Sequence, residues 1–68
     1  MIIYDLIKLF YPDVYFNIRI VDKEGVTIFK DYTTAEIFID KQEYYSEYKV
    51  DKIEIGDTKK KELIIHVI

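Results

Sequence analysis

Two hydrophobic periodicities alternate along this chain, and they predict two helices and two β-hairpins. Apolar residues at positions 2, 3, 6, 7 and 10 share one face of a helix, so the sequence predicts a short amphipathic helix from Ile2 to Phe10. Pro12 disfavours helical geometry in the residue before it, and we expect the helix to end near Tyr11. From position 14 onward apolar residues alternate with others, which is typical of a strand.

The segment from 14 to 32 carries the strongest local signal in the chain, that of a hairpin. Its first strand ends before a turn at 22–25, which suits a type I turn followed by a residue with positive φ. Gly25 accepts that conformation without steric cost. A second strand is expected from Val26 to about Asp31. The face of the first strand that should meet the helices is wholly apolar and consists of Val14, Phe16, Ile18 and Ile20.

A second helix is predicted to follow this hairpin and to run to about Tyr48. Thr33 and Glu36 have the spacing of a capping box, in which each side chain would accept from the main-chain amide of the other. The segment 33–39 is also rich in β-prone residues, so an edge strand is an open alternative there. Acidic residues spaced by four, three and four positions form one stripe on the predicted helix: Glu36, Asp40, Glu43 and Glu47.

A second hairpin closes the chain, with strands predicted from Val50 to Ile55 and from Leu63 to Ile68. The order helix, hairpin, helix, hairpin predicts one α+β domain over residues 1–68. We expect a four-stranded, mostly antiparallel sheet with the helices on one face. The last strand is apolar on both faces, although one face of such a sheet is usually solvated. We therefore predict self-association through the uncovered face, by Tyr15, Val21, Phe29, Ile64, His66 and Ile68.

Composition narrows the classes of chemistry that the chain can support. It has 68 residues, no cysteine and one histidine, so we expect no disulfide, no metal site and no cofactor. A chain this short builds a modest core, and oligomerisation is a common source of additional stability. The net charge of −3 offers no basic surface for direct nucleic-acid binding.

Membrane insertion and export are not expected either. The apolar run at the start of the sequence is interrupted by Asp5 and Lys8, which does not fit a signal peptide. No apolar stretch approaches the roughly 20 residues that a membrane span requires. The sequence therefore predicts a cytoplasmic protein with no membrane partner.

No arrangement of residues predicts an enzyme. The two glycines lie in separate turns, so there is no phosphate-binding loop, and Ser46, the only serine, is in no nucleophile motif. His66 lies in a hydrophobic strand without an identifiable second ligand or nucleophile. Packing or an interface is the better interpretation of this histidine.

The composition is rich in tyrosine, and the tyrosines next to the acidic stripe are its most informative feature. Residues 31–57 include eight acidic residues and three lysines, a local charge of −5. Tyrosine is favoured at binding surfaces because it has a large apolar area and a polar tip. We predict that this region binds a basic protein surface through Glu43, Tyr44, Tyr45, Glu47, Tyr48 and Asp51. The open alternative is that the tyrosines cover a core edge and the acids form a solvated face.

The N-terminal half resembles a known group of proteins. The residues from Tyr4 to Phe10, YDLIKLF, are followed by a strand, an Asp-x-x-Gly turn and a strand ending in Tyr32. This order resembles small proteins encoded by bacteriophages and prophages of low-GC Gram-positive bacteria. Some phage proteins of this size inhibit host defence systems such as CRISPR effectors. The resemblance implies a role in the host cytoplasm and carries over no functional residue.

Two hypotheses of function follow from these observations. The first is a non-enzymatic protein-binding module, a phage-encoded inhibitor of a host defence or nucleic-acid enzyme that acts through the acidic, tyrosine-rich face. The second is a small homo-oligomeric assembly protein, in which the sheet face matters and the acidic face is inert.

Overall fold

The computed structural model describes residues 1–68 and has the predicted α+β fold. Four strands form one sheet, and three short α-helices accompany it. None of the helices combines the length and the apolar character needed to cross a membrane. The elements in chain order are α1 (Ile3–Ile7), β1 (Phe16–Val21), β2 (Thr27–Thr33), α2 (Ala35–Lys41), α3 (Glu43–Ser46), β3 (Val50–Ile55) and β4 (Glu62–Val67), with a 3₁₀ turn at Thr58–Lys60.

The sheet consists of two antiparallel hairpins placed side by side, in the strand order β2-β1-β4-β3. β1 pairs with β2 and β3 pairs with β4 in antiparallel fashion, while the central strands β1 and β4 are parallel. The sheet is therefore mixed. Because parallel neighbours cannot be joined by a tight turn, the helices α2 and α3 lie within the long connection between β1 and β4.

The first hairpin turn has the conformation that its sequence predicts. The Gly25 amide donates to the Asp22 carbonyl at 3.0 Å, and Gly25 has a φ of 83°. The Asp22 carboxylate accepts from the amides of Glu24 and Val26, both at 2.9 Å. The following strand begins at Thr27 and continues to Thr33, two residues beyond the predicted end.

The core lies between the sheet and the helices. The apolar residues that alternate along β1 and β4 meet there in parallel register, with Ile18 beside Leu63 and Ile20 beside Ile65. Val14, which was predicted to join them, lies before β1 and is exposed. The buried residues of this cluster are Ile3, Ile7, Phe16, Ile18, Ile20, Ala35, Phe38, Leu63, Ile65 and Val67.

The helices are shorter than the sequence predicts. The first ends at Ile7, and the predicted second helix is divided at Gln42, whose φ of −116° and ψ of 50° are not helical. The N-cap of α2 is Thr34, whose hydroxyl accepts from the Ile37 amide at 3.1 Å. The prediction that Thr33 caps this helix is wrong, because Thr33 is the last residue of β2. The alternative of an edge strand over 33–39 is wrong as well.

The second hairpin closes through a loop that is tied to the first strand. The side-chain amide of Asn17 donates to the Lys60 carbonyl at 2.6 Å, and the Asn17 main-chain amide donates to the Lys61 carbonyl at 3.1 Å. Lys61 has a φ of 51°, the left-handed conformation that ends the 3₁₀ turn. These bonds fix the start of β4 beside β1.

Candidate protein-binding surface

Tyr45 joins α3 to the sheet and belongs to the edge of the core. Its hydroxyl donates to the Ile28 carbonyl at 3.1 Å, and its ring lies 4.7 Å from the ring of Phe29, centroid to centroid. The hydroxyl therefore already has a partner within the chain. Of the residues predicted to bind a partner, Tyr45 and the half-buried Tyr48 both pack against the core, which fits the alternative in which tyrosines cover a core edge.

Tyr44 and Tyr48 form an aromatic cluster with Tyr45, and Tyr44 is its exposed member. The Tyr48 hydroxyl donates to the Tyr44 hydroxyl at 2.8 Å, and these two rings are 5.4 Å apart in an edge-to-face arrangement. That hydrogen bond, with desolvation and the neighbouring Tyr44 and Tyr45 as smaller causes, raises the pKa of Tyr48 above its ordinary value of 10.0. Tyr44 is 69% exposed and presents its ring to solvent.

Glu43 and Glu47 stand four residues apart at the two ends of α3, and both side chains are exposed. They border a shallow groove of about 280 Å³ between α3 and the start of the chain. Ser46, which also lines this groove, donates its hydroxyl to the Gln42 carbonyl at 2.8 Å and so closes the single turn of α3. The residues that line the groove are Ile2, Tyr4, Ile39, Glu43, Ser46 and Glu47.

The acidic stripe continues onto α2 beside a second, larger groove. Glu36 and Asp40 border this groove of about 620 Å³, which lies between α2 and the segment that follows α1. Ile39 lines both grooves, so the stripe runs along an apolar floor. The residues that line the larger groove are Lys8, Phe10, Pro12, Ala35, Glu36, Ile37, Ile39 and Asp40.

The four carboxylates of the stripe have no ion-pair partner in this chain. The ion pairs of the molecule are Lys8 with Asp5 and Arg19 with Glu62, and the contact of His66 with Glu54 is an ion pair only when the imidazole is protonated. Lys8, which lines the larger groove with Glu36 and Asp40, forms its ion pair with Asp5 instead. We call the surface formed by Glu36, Asp40, Glu43, Tyr44, Glu47 and Tyr48 the acidic helix face.

Asp51, the remaining residue of the predicted partner-binding set, lies on another element. It is exposed on β3, at the irregularity between Val50 and Lys52 in the pairing of β3 with β4. No hydrogen bond or ion pair joins its side chain to α3. The structure therefore places Asp51 at the edge of the sheet.

The opposite face of the sheet, which the helices leave uncovered, was predicted to be an apolar self-association surface. Ile64 is at its centre and is only 6% exposed within this one chain. Its cross-strand neighbours are Arg19 and Glu54, and its neighbours two residues along β4 are Glu62 and His66. Long polar side chains can cover apolar surface with their stems while keeping their charged ends in water.

Two polar contacts lie in this ring around Ile64, although the buried Nε of Arg19 has no hydrogen-bond partner. Nε2 of His66 lies 2.7 Å from Oε1 of Glu54, and Nε of Arg19 lies 3.9 Å from Oε2 of Glu62. The hydrogen bond from His66 lowers the pKa of Glu54 below its ordinary value of 4.5, with smaller contributions from the charges of Lys52 and Arg19. His66 is thus a hydrogen-bonding residue of the open face.

The predicted apolar patch is not continuous on the open face. Phe29 is opposite Ile20 in the β1–β2 register and packs toward Phe38, so its placement on the open face was wrong. Val21 is buried, as Ile64 is. Tyr15 stacks on the ring of Tyr32 at 5.1 Å. Ile68, which is 74% exposed, is the remaining residue of that set and follows β4.

The grooves and the pairing of the charges could not be predicted from the sequence. The stripe of acids was visible from its spacing, but its relation to Phe10 and Ile39 depends on how α1 packs against α2. Apolar residues next to the stripe in a helical projection were the one available signal. No cluster of three or more histidine, aspartate or glutamate side chains is arranged to hold a metal ion.

The fold and this surface define the protein as a small α+β domain with an unpaired acidic helix face. Comparisons with protein-family models, with curated proteins and with solved structures found no match to this chain.

Proposed function

We propose that this chain is a non-enzymatic protein-binding module whose acidic helix face docks on a basic protein surface. The observation that carries the proposal is the unpaired state of the four carboxylates along α2 and α3. A partner that supplies lysine or arginine side chains would form ion pairs that the chain itself does not provide. Complementary charge of this kind raises association rates and selects among partners.

The aromatic side chains and the grooves beside the stripe supply the apolar part of the same surface. Tyr44 offers an exposed ring, held in place by its hydrogen bond with Tyr48. Tyrosine at the centre of a contact loses little conformational entropy and is enriched among the residues that dominate binding energy. The apolar floor around Ile39 can receive a side chain or a short segment of the partner.

The class of target follows from charge and from the resemblance of the N-terminal half to small phage proteins. Surfaces that bind DNA or RNA are basic, so an acidic domain can occupy them in place of the nucleic acid. We propose a host defence nuclease or another nucleic-acid enzyme as the target, and the cytoplasm of the host as the site of action.

The test compares what two charge-reversed variants capture from a lysate of a low-GC Gram-positive host. The first carries Glu43→Lys and Glu47→Lys on the acidic helix face. The second, as a matched control, carries Glu24→Lys and Asp31→Lys, which are exposed carboxylates on the first hairpin. Both variants change the net charge equally, so nonspecific effects of charge are shared.

We expect quantitative mass spectrometry to show basic proteins that the wild type and the control capture and the Glu43/Glu47 variant does not. Their capture should also fall as salt is raised, because ion pairs at exposed sites are screened. Equal capture by all three proteins would contradict the assignment of the acidic helix face.

A further inference from the structure

The two edges of the sheet are not equivalent. Two outward main-chain groups of β2 already have partners, since the Ile28 carbonyl accepts from the Tyr45 hydroxyl and the Tyr32 amide donates to the Asp31 carboxylate. Side chains of the chain itself thus close part of the β2 edge, although the outward main-chain groups of Lys30 have no such partner. Strand edges that lack such closure are templates for pairing with another strand.

The β3 edge is open over residues 51–55. Its first residue is covered, because the Val50 amide donates to the Met1 carbonyl at 2.9 Å. Beyond that point the inward groups bond to β4, as the 3.0 Å bond from the Gly56 amide to the Glu62 carbonyl shows. Inward and outward groups alternate in antiparallel strands, so the main-chain groups of Ile53 and Ile55 point away from the sheet without a partner.

The same two residues also leave apolar surface uncovered. Ile53 is paired with Ile65 and Ile55 with Leu63, so both side chains lie on the core side of the sheet. The helices do not reach over β3, and Ile53 is 50% and Ile55 66% exposed. The open edge therefore combines free hydrogen-bonding groups with a flanking apolar strip.

Charged side chains of β3 on the open face of the sheet make this edge complementary to the same edge of a second copy. Lys52 and Glu54 stand two residues apart on either side of Ile53 and share the open face of the sheet. If two copies pair antiparallel with Ile53 opposite Ile53, Lys52 of each copy lies directly opposite Glu54 of the other. Two attractive cross-strand pairs then accompany an Ile53–Ile53 contact at the two-fold axis.

The neighbouring register is disfavoured by the same charges. Moving the axis by one residue sets Glu54 opposite Glu54, and like charges directly opposite each other destabilise a strand pair. We propose that β3 pairs with β3 of a second copy about Ile53, which joins two four-stranded sheets into one of eight strands. This interface does not include the acidic helix face and does not depend on the proposed function.

A charge-exchange experiment tests both the interface and its register. Lys52→Glu sets acid opposite acid at both pairs of the homodimer, and Glu54→Lys sets base opposite base. Mixing the two single variants restores an acid–base pair at both positions. We expect sedimentation equilibrium to show a dimer for the wild type, dimerisation about tenfold or more weaker for each variant alone, and recovery in the equimolar mixture.

Three further measurements separate the interface from other effects. Lys30→Glu makes the same charge change on the β2 edge and should dimerise as the wild type does, and so should the Glu43→Lys, Glu47→Lys variant. Circular dichroism confirms that the variants fold. Hydrogen exchange at the amides of Ile53 and Ile55 should slow as protein concentration rises. A wild-type monomer at about 0.5 mM, or variants that dimerise as well as the wild type, would overturn the proposal.

Discussion

Gly25 and Lys61 adopt left-handed backbone conformations, with φ of 83° and 51° respectively. Glycine has no Cβ and occupies that region without strain, whereas a residue with a side chain does so at a cost of about 1–2 kcal/mol. The left-handed conformation is therefore adopted by a glycine in the first hairpin, where it causes no strain, and by Lys61 before β4, where it lowers stability.

Substitution at these two positions should have opposite effects. We expect Gly25→Ala to lower the free energy of unfolding by about 1–2 kcal/mol and Lys61→Gly to change it little or raise it by up to about 1 kcal/mol. Urea denaturation measures both, with Glu24→Ala in the same turn as the control. A Gly25→Ala protein as stable as the wild type would rule out the left-handed turn.

The His66–Glu54 contact predicts a dependence of stability on acid. Because the folded-state pKa of Glu54 is lowered from 4.5, its contribution is present above that pH and is lost as the pH falls through the folded-state value. His66→Ala removes the main cause of the shift, while Arg19 and Lys52 still face Glu54. The stability difference between wild type and variant should therefore shrink as the pH falls below 4.5 and through the folded-state pKa of Glu54, as followed by thermal unfolding. A constant difference would contradict the contact.

Ile64 shows where residue-scale prediction from sequence stops. Its alternation with Leu63 and Ile65 correctly places it on the open face, and an apolar residue there suggests a second chain. The side chains that cover it, such as Arg19, come from other strands. Which residues become cross-strand neighbours depends on the sheet order, and a single strand holds no information about that order.

At the scale of elements, the N-terminus of α2 depends on Thr34. Its hydroxyl accepts from the Ile37 amide, one of the donors that a helix start leaves without a partner. We expect Thr34→Ala to lower the free energy of unfolding by about 1 kcal/mol and Thr34→Ser to preserve it. Glu36→Gln, at the position where a Thr33 capping box would need its acid, should change stability by less than about 0.5 kcal/mol. A larger loss of unfolding free energy for Glu36→Gln than for Thr34→Ala, measured by urea denaturation, would support the predicted Thr33 cap instead.

The hairpins were predictable because their signals are local. Alternation and the 22–25 turn give the first, and the segments before and after Gly56 give the second. The division of the long helix at Gln42 was not predictable, because no glycine or proline marks it in the sequence. The parallel pairing of β1 with β4 is a long-range choice made by packing against the helices, and local patterns do not encode it.

At the scale of the whole molecule, three surfaces have different chemistry. The helices carry unpaired acids beside the two grooves, the open face of the sheet carries polar side chains that contact one another, and the β3 edge has free main-chain groups. Much of the negative charge lies in residues 31–57. The proposed partner-binding surface and the proposed self-pairing edge are therefore different parts of the molecule.

Zero-length carbodiimide cross-linking in a host lysate tests the central claim most directly, because it joins carboxylates to lysines that are already in ionic contact. If the acidic helix face binds a basic protein, mass spectrometry should find cross-links from Glu36, Asp40, Glu43 or Glu47 to lysines of one or a few host proteins. Cross-links that arise mainly from carboxylates elsewhere on the chain, such as Glu24 and Asp31, or none to any host protein, would contradict the account.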